Sequence, residues 1–431
     1  MSTDLTSESV VRKVSRRLIP FLFLLYIFAY LDRINIGFAA LSMNRELGLT
    51  ATMFGMANTI FYFGYFLFEI PSNLMLARYG ARIWIPRIMI TWGIASTATM
   101  FASGPMSLYL IRLLVGIAEA GFVPGILLYL TYWFPQSHRA RANAVFMVAQ
   151  PVTIAFGASI SGLILQAGDG VLGMSGWRWL FVIEGLPSVV LGIVAYFYLT
   201  SRPREAGWLT EAEKEVLEKS LTSGERAGVP ERKSAFRELA GRNVILLALG
   251  YFGLTMTLNT NATWTPQIVR EALEGRSLTL VGLVVAVPAL LTAIAMPLWS
   301  ARSDRMKERS WHIAIPMGLA ASGWLLVAAT DVPWLRFLGL VFVSIGAFTA
   351  MAVFWTVPPL ILSPAARPAG IALISSCGIL ASATSPLLVG LLRDLTESFT
   401  MSLFFVAGVL VSAAGLLLLV PARPSVAGSA T

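Results

Sequence analysis

Cysteine, histidine and charged residues are all scarce in this chain of 431 residues. A single cysteine, Cys377, excludes an internal disulfide. The two histidines, His138 and His312, provide neither a metal-ligand cluster nor the base of a catalytic pair, so we expect no cofactor, no metal and no enzyme activity. Charged residues make up 13% of the chain, which is too few for the surface of an ordinary soluble domain.

Hydrophobic residues are abundant instead, at 56% of the chain. Because a bilayer core needs roughly 20 apolar residues for each helical crossing, apolar runs of that length indicate membrane spans. Such runs predict an all-α membrane protein with twelve spans, near residues 18–41, 51–76, 82–101, 106–133, 139–166, 177–200, 243–264, 277–300, 311–329, 334–357, 367–391 and 399–420.

The spans form two sets of six, separated by a polar segment that is rich in charge. We therefore predict a first bundle over residues 1–200, a linker over 201–241 and a second bundle over 242–431. The charges that mark the linker as a soluble segment are Lys214, Glu215, Glu218, Lys219, Glu225, Arg226, Arg232 and Lys233.

Lys and Arg residues near the span ends are distributed unequally between the two sides of the membrane. One side carries Arg12, Lys13, Arg16, Arg17, Arg78, Arg82, Arg87, Arg139, Arg141, the linker, Arg302, Arg305, Lys307, Arg309, Arg367 and Arg423. The other side has Arg45, Arg178, Arg270, Arg276, Arg336 and Arg393. The positive-inside rule thus predicts cytoplasmic termini and a cytoplasmic linker, in a bacterial inner membrane. The same bias explains the net charge of +9, so no nucleic-acid partner is expected.

Four ionisable residues lie deep inside predicted spans: Asp32 and Arg33 in the first span, and Arg112 and Glu119 in the fourth. Each is costly at that depth unless it has a partner, a cavity or a function. Arg112 and Glu119 are seven residues apart and share a helix face, whereas the consecutive Asp32 and Arg33 project in different directions. One arrangement points Arg33 into a central cavity and Asp32 towards the charged face of the fourth helix. A static charge network is the alternative.

The chemistry of these side chains suits the transport of an anion with protons. Asp32 and Glu119 are the candidate proton carriers, because a carboxylate in a low-dielectric site can exchange a proton near neutral pH. Arg33 is the first choice for the carboxylate of a substrate, since guanidinium binds carboxylate through two parallel hydrogen bonds. Arg112 either does the same or keeps Glu119 ionised, and the sequence does not decide between these roles.

Polar and aromatic residues predicted at the same depth are candidates for the cavity wall, although each could instead serve helix packing. The substrate-binding candidates among them are Tyr30, Tyr65, Gln150, Asn259 and Trp355, and Tyr62, Asn261 and Trp264 lie at similar depth. Glu69 and Glu184 are nearer the predicted span ends, where we expect a structural ion pair or a hydrated position.

Several motifs resemble those of the anion:cation symporter family within the major facilitator superfamily. The loop from Asn73 to Arg82 resembles the superfamily's loop signature, with Ala77 at its acidic position, and the segment from Trp299 to Arg309 resembles a second copy that keeps Asp304. The finer matches are Tyr30-Leu-Asp32-Arg33-Ile-Asn35, Glu69-Ile-Pro71-Ser-Asn73, the segment from Arg112 to Gly125, Tyr132-Trp133-Phe134-Pro135, Gly176-Trp177-Arg178-Trp179 with Glu184-Gly185, and Trp208-Leu-Thr-Glu211.

This resemblance implies a proton-coupled symporter that imports a small organic anion by alternating access between two bundles. It implies anion recognition by Arg33 and Arg112, protonation of Asp32 and Glu119, and a cavity wall that includes Tyr65 and Gln150. A sugar acid, a hydroxy-dicarboxylate and an aromatic acid all remain possible substrates. A proton-driven exporter and an anion-binding membrane sensor are the alternatives, and we expect a monomer.

Overall fold

The computed structural model describes residues 6–135, 138–139, 149–222, 239–363 and 366–420, and this part of the chain is helical without a β-strand. The helices are α1 (Ser7–Glu46), α2 (Ala51–Tyr79), α3 (Ala81–Thr97), α4 (Pro105–Glu119), α5 (Phe122–Trp133), α6 (Ala149–Ala167), α7 (Gly176–Tyr198), α8 (Glu211–Thr222), α9 (Arg242–Ala272), α10 (Leu278–Met306), α11 (Ser310–Ala329), α12 (Pro333–Phe354), α13 (Pro358–Ile361), α14 (Arg367–Thr396) and α15 (Thr400–Leu418). Among the predicted orientation and linker charges, Arg141, Glu225, Arg226, Arg232, Lys233 and Arg423 lie outside the described residues.

Eleven helical segments of the described chain are long and apolar enough to cross a membrane. The predicted span at 82–101 is the shorter helix α3, which a 3₁₀ turn continues to Phe101. The span predicted at 139–166 is described from residue 149 onwards as α6. The chain is therefore an all-α, multi-pass membrane protein, as its hydropathy predicted.

The fourth span is not a continuous helix, and its break was not predicted as such. Helix α4 ends at Glu119, and α5 begins at Phe122. Gly121 adopts φ = 83°, a left-handed conformation that glycine reaches without strain, and a side chain there would collide with Ser72. The break places Glu119 at a helix end in the middle of the protein.

The two bundles meet closely at one face, which we call the opposite face because it lies across the membrane from the linker. Asp394, near the end of α14, accepts hydrogen bonds from the backbone N–H groups of Ala51 (3.0 Å) and Thr52 (2.8 Å) at the start of α2. Gln166, near the end of α6, accepts in the same way from the N–H (3.1 Å) and hydroxyl (2.8 Å) of Thr279 at the start of α10. Equivalent helices of the two halves thus cap each other at this face.

Glycines allow the backbones of the two bundles to touch where they meet at the opposite face, and we call this contact the seam. A Cβ atom added to Gly55 would lie 2.3 Å from the carbonyl oxygen of Pro386, and one added to Gly162 would lie 2.7 Å from that of Leu278. A fully buried tryptophan, Trp264, fills the remaining space. Its expected place at cavity depth is therefore wrong: Trp264 packs inside the closed seam, because its ring meets Phe54 and Phe399 edge-on at 5.3 and 5.5 Å.

The linker begins with a helix that packs on the first bundle. Trp208 stacks on Trp133 with 5.4 Å between the ring centroids, and Lys13 forms an ion pair of 2.8 Å with Glu213 of α8. Thr210 and Glu213 exchange side-chain to backbone hydrogen bonds, which is the capping box that starts a helix. The first part of the linker is thus an amphipathic helix held on α1 and α5.

Candidate functional site

An ion pair between α1 and α4 lies at the centre of the first bundle. Arg33 Nε donates to Glu119 Oε1 over 2.6 Å. The Glu119 side chain is 2% exposed, whereas 21% of the Arg33 side chain remains accessible. The Arg33 guanidinium also lies over the Tyr65 ring, 5.1 Å from its centroid. A guanidinium with one buried carboxylate partner and an accessible edge can exchange that partner for another anion.

Asp32 faces away from this pair. Its oxygens accept hydrogen bonds from Trp92 Nε1 (2.7 Å), Ser96 Oγ (2.5 Å) and Asn35 Nδ2 (3.0 Å). The expectation that Asp32 meets the charged face of the fourth helix is therefore wrong. The side chain of the next residue, about 100° further round α1, makes that contact, and Asp32 packs against α3.

Arg112 is buried, at 3% exposure, without an ion pair to any acid in the described part of the chain. Its Nε has no hydrogen-bond partner among the described residues, and its guanidinium lies 4.5 Å from the centroid of the Phe61 ring. Glu119 and Asp32 act on it only at longer range. A buried cation that lacks a partner costs several kcal/mol, roughly, so this position favours an anionic ligand. Arg33, and not Arg112, makes the direct contact with Glu119.

Tyrosines and an amide line the same side of α1. Gln150 Nε2 donates to the hydroxyl of Tyr26 over 2.7 Å, and the rings of Tyr26 and Tyr30 pack edge-on at 6.2 Å. Tyr26, Tyr30 and Arg33 follow a spacing of four and three residues, so they share one helix face. Tyr26 was missed by the sequence analysis, although its spacing from Tyr30 could have identified it.

The second bundle contributes neutral groups. Asn259 donates to the Ser382 carbonyl (3.2 Å), accepts from the Thr263 hydroxyl (3.1 Å) and faces the Tyr62 hydroxyl of the first bundle. Trp355 packs edge-on against Tyr251, with 4.9 Å between the ring centroids. Tyr251 was not among the residues predicted from the sequence. These side chains can contact a ligand by shape and hydrogen bonding, without charge.

The structure thus brings together part of the predicted set. Arg33, Glu119 and Tyr65 are in direct contact, and Arg112 lies beside them. Tyr30 and Gln150 join them through Tyr26, whereas Asn259 and Trp355 belong to the second bundle, and Asp32 occupies a separate buried site. The described residues contain no group of His, Cys, Asp or Glu that could hold a metal ion.

Curated relatives of this chain are membrane transporters. It is 45% identical over 425 residues to an Agrobacterium vitis protein named "Putative tartrate transporter", covering 99% of this chain and 94% of that protein. It is 35% identical over 405 residues to the "Quinolone resistance transporter" of Acinetobacter baumannii, covering 94% and 93%. It is 32% identical over 411 residues to the "Inner membrane transport protein RhmT" of Escherichia coli, covering 95% of each.

Solved structures show the same fold. A bacterial homolog of the human lysosomal transporter Spinster, in an inward-facing and unoccupied conformation, matches with a TM-score of 0.75 at 19% identity, over 97% of this chain and 98% of that one. A D-xylose–proton symporter matches with a TM-score of 0.75 at 17% identity, over 97% and 99%.

The family model of the Major Facilitator Superfamily matches residues 22–359, which includes α2 to α12 and most of α1. The motifs that resemble anion:cation symporters agree with the tartrate transporter among the relatives. The chain is therefore not an enzyme but a multi-pass membrane transporter that belongs to the Major Facilitator Superfamily.

Proposed function

We propose that this transporter imports a small organic anion together with protons. The observation that carries the proposal is the ion pair between Arg33 and Glu119 beside the unpaired, buried Arg112. The cluster thus contains two guanidinium groups but one buried carboxylate, which contacts Arg33 alone, so it carries an excess of positive charge. An anionic substrate supplies the balancing negative charge.

The ion pair also provides a means of coupling. Protonation of Glu119 removes the negative charge that holds Arg33, and the guanidinium is then free to bind a carboxylate of the substrate. Substrate and proton enter the same cluster and leave it together. Asp32 is the second candidate proton carrier, and Tyr30, Tyr65 and Gln150 form the wall around the bound anion.

Tartrate is the first substrate to test. Two proteins named as tartrate transporters are each 45% identical to this chain over nearly its whole length. Two arginines suit the two carboxylates of a dicarboxylate, and its hydroxyl groups suit neutral hydrogen-bonding partners such as Asn259.

The proposed location is a bacterial inner membrane with the linker in the cytoplasm, which the Lys and Arg distribution and the name of RhmT support. The seam capped by Asp394 and Gln166 then closes the periplasmic side, so the conformation faces inward. In this proposal, residues 1–200 and 242–431 rock against each other around the site, in a monomer.

Proton-driven export is a second candidate, because a relative is named as a quinolone resistance transporter. The same site would then release its anion outward. Export and import can be distinguished by imposing proton gradients of opposite direction and recording which of them makes the substrate accumulate in the vesicles.

The test is uptake of labelled tartrate, and of a panel of sugar acids and aromatic acids, into proteoliposomes with and without an inward proton gradient. The wild type is compared with Arg33→Ala and Glu119→Gln. Arg45→Ala is a matched control, because Arg45 lies on the same helix but is exposed.

We expect gradient-dependent accumulation that Arg33→Ala abolishes and Arg45→Ala preserves. Glu119→Gln should retain tartrate exchange but lose accumulation. The proposal fails if no acid accumulates, or if Arg33→Ala and Glu119→Gln behave like the wild type.

A further inference from the structure

A third acid, besides Glu119 and Asp32, is buried in the first bundle. Glu184 of α7 is 2% exposed and forms no ion pair with any cation in the described part of the chain. Its Oε1 accepts a hydrogen bond from Ser161 of α6 over 2.7 Å, but its Oε2 has no partner. The expectation of an ion pair or a hydrated position at a helix end is therefore wrong for Glu184, because this residue of α7 is buried against α1 and α6.

The amide of Asn35 lies between Glu184 and Asp32. Its Nδ2 donates to Asp32 Oδ1 over 3.0 Å, and its side chain also faces Glu184. The Oδ1 atom of Asn35 is buried and has no hydrogen-bond partner in the described part of the chain. Among the described residues, two buried acceptor atoms without donors, Asn35 Oδ1 and Glu184 Oε2, thus belong to side chains that face each other.

A single proton satisfies both atoms. A carboxylate only accepts hydrogen bonds, whereas a carboxylic acid has one O–H donor. If Glu184 is protonated, its Oε2–H donates to Asn35 Oδ1 and neither atom is left unpaired. If the Asn35 amide is turned over, its N–H₂ serves Glu184, and Asp32 must then carry the proton. In either orientation, one amide joins one carboxylate to one carboxylic acid.

Among the residues that the structure describes, the groups around Glu184 do not offer another counter-charge. Helix α1 contributes Asp32 and Asn35, and α6 contributes Ser161. Helix α3 lies next to them through Ser96, which bonds to Asp32, and Thr97, which lies against Gly185. These partners are neutral apart from Asp32, which is itself acidic. A bound proton is therefore the species that neutralises this pair of carboxyl groups.

We propose that Glu184 is a further proton-binding residue of the transport cycle, connected to Asp32 through the Asn35 amide. This inference rests on the proton coupling proposed above. On release, the O–H bond at Glu184 breaks, the proton passes to water, and the carboxylate that remains accepts from the amide of Asn35. Glu184 thus alternates between acid and carboxylate while the anion itself stays at Arg33 and Arg112.

The variant Glu184→Gln separates this role from a purely structural one. Glutamine donates from Nε2 to Asn35 Oδ1 and accepts from Ser161 through Oε1, so it copies the protonated acid permanently. A glutamate that never releases its proton can be replaced without effect, whereas a proton carrier cannot.

The experiment measures tartrate exchange, tartrate accumulation and protons moved per tartrate in proteoliposomes that contain the full-length protein. Glu274→Gln, at an exposed residue, is the control. We expect Glu184→Gln to keep exchange near the wild-type rate, to lose accumulation and to move fewer protons per tartrate. Unchanged accumulation and an unchanged proton ratio would overturn the inference.

A second measurement separates this inference from the proposed function. Infrared spectra of the purified protein should contain a carboxylic-acid band at neutral pH that Glu184→Gln lacks and that disappears when the sample is made alkaline. If the wild type moves no protons with any acid, the proposed function fails, and this band still decides whether Glu184 binds an exchangeable proton. Its absence at neutral pH, or its persistence at alkaline pH, contradicts the inference.

Discussion

The two bundles share a fold but differ in the charge of their buried side chains. The first buries the acids Asp32, Glu119 and Glu184 and the cation Arg112. In the described part of the second bundle, the buried polar side chains are neutral hydroxyls and the amide of Asn259, apart from His312, which pairs with Glu308 at the linker face. Among the described residues, buried acids and buried arginines are thus confined to the first of two otherwise equivalent halves.

In the proposed transport cycle, this difference gives the two bundles different tasks: the first couples protons to the anion, and the second closes over the site. Because Arg33 and Glu119 belong to the same bundle, the proposed rocking of the bundles does not require their ion pair to break. In the proposed function, protons and anion therefore control this ion pair in every conformation. The second bundle would then close over the site with neutral groups such as Asn259 and Trp355, which can separate from a ligand without leaving a charge unpaired.

The largest expected effect in this comparison is the loss of Arg112. Arg112→Met should abolish anion uptake. Arg112→Lys should raise the KM roughly 10- to 100-fold, because an ammonium group cannot form the two parallel hydrogen bonds that a planar guanidinium donates to a carboxylate. Arg302→Met, at an exposed position of the second bundle, should leave the KM unchanged. Wild-type kinetics in Arg112→Met would remove this residue from the site.

A substitution at the seam should change how the two bundles pack against each other without altering any charged side chain. Gly55→Ala places a methyl group against the Pro386 carbonyl, whereas Gly408→Ala has nothing within 4 Å. We expect Gly55→Ala to favour the conformation that is open at the opposite face. The readout is labelling of Thr59→Cys, in a Cys377→Ser background, by an impermeant maleimide from that face. Equal labelling in both glycine variants would contradict a closed seam at this position.

Removal of a neutral partner in the second bundle should have a smaller effect. Asn259→Ala deletes one hydrogen-bonding group, so the KM for tartrate should rise roughly 2- to 10-fold. The number of protons moved per tartrate should stay the same, and it is measured with a pH-sensitive dye inside proteoliposomes. A changed proton ratio would show that coupling extends into the second bundle.

The smallest expected effect concerns the linker helix, which packs on α1 and α5 of the first bundle. Burial raises the pKa of Glu213, but hydrogen bonds from Lys13 and Thr210 outweigh it and leave the pKa below its ordinary value. Its carboxylate therefore stabilises docking above the ordinary glutamate pKa, and this contribution is lost as the pH falls through the lowered pKa.

Glu213→Gln should accordingly increase hydrogen exchange in α8 at neutral pH. The expected loss is about 1 kcal/mol, since one cap and one partly exposed ion pair are weakened. The difference from the wild type should shrink under acidic conditions. Identical exchange at neutral pH would show that Trp208 and the apolar face of α8 hold the helix alone.

The fold could be predicted from the sequence because the bilayer imposes a length and a polarity on every span. The break after Glu119 was less accessible, since glycine and proline in membrane helices occur in straight helices as well as in broken ones. The helical start of the linker could have been found from its capping box, in which Thr210 precedes Glu213 by three residues.

The site could be predicted as a set of residues but not as a set of contacts. The cost of burying charge identified Asp32, Arg33, Arg112 and Glu119, and helix geometry showed that the first two diverge. Which neighbouring helix each side chain meets depends on helix rotation and packing, which are not encoded by spacing along one helix. The depth of a residue in the membrane, when it is inferred from predicted span ends, likewise does not show which helices surround the residue. For this reason Glu184 was wrongly expected in an ion pair or a hydrated position.

The most direct test of proton coupling by the first bundle is proton movement on addition of tartrate, with no gradient imposed. Proteoliposomes with an internal pH dye receive external tartrate, and the wild type is compared with Glu119→Gln. We expect internal acidification by the wild type and none by Glu119→Gln, although the variant still exchanges tartrate. Tartrate entry into wild-type vesicles without any proton movement would contradict it.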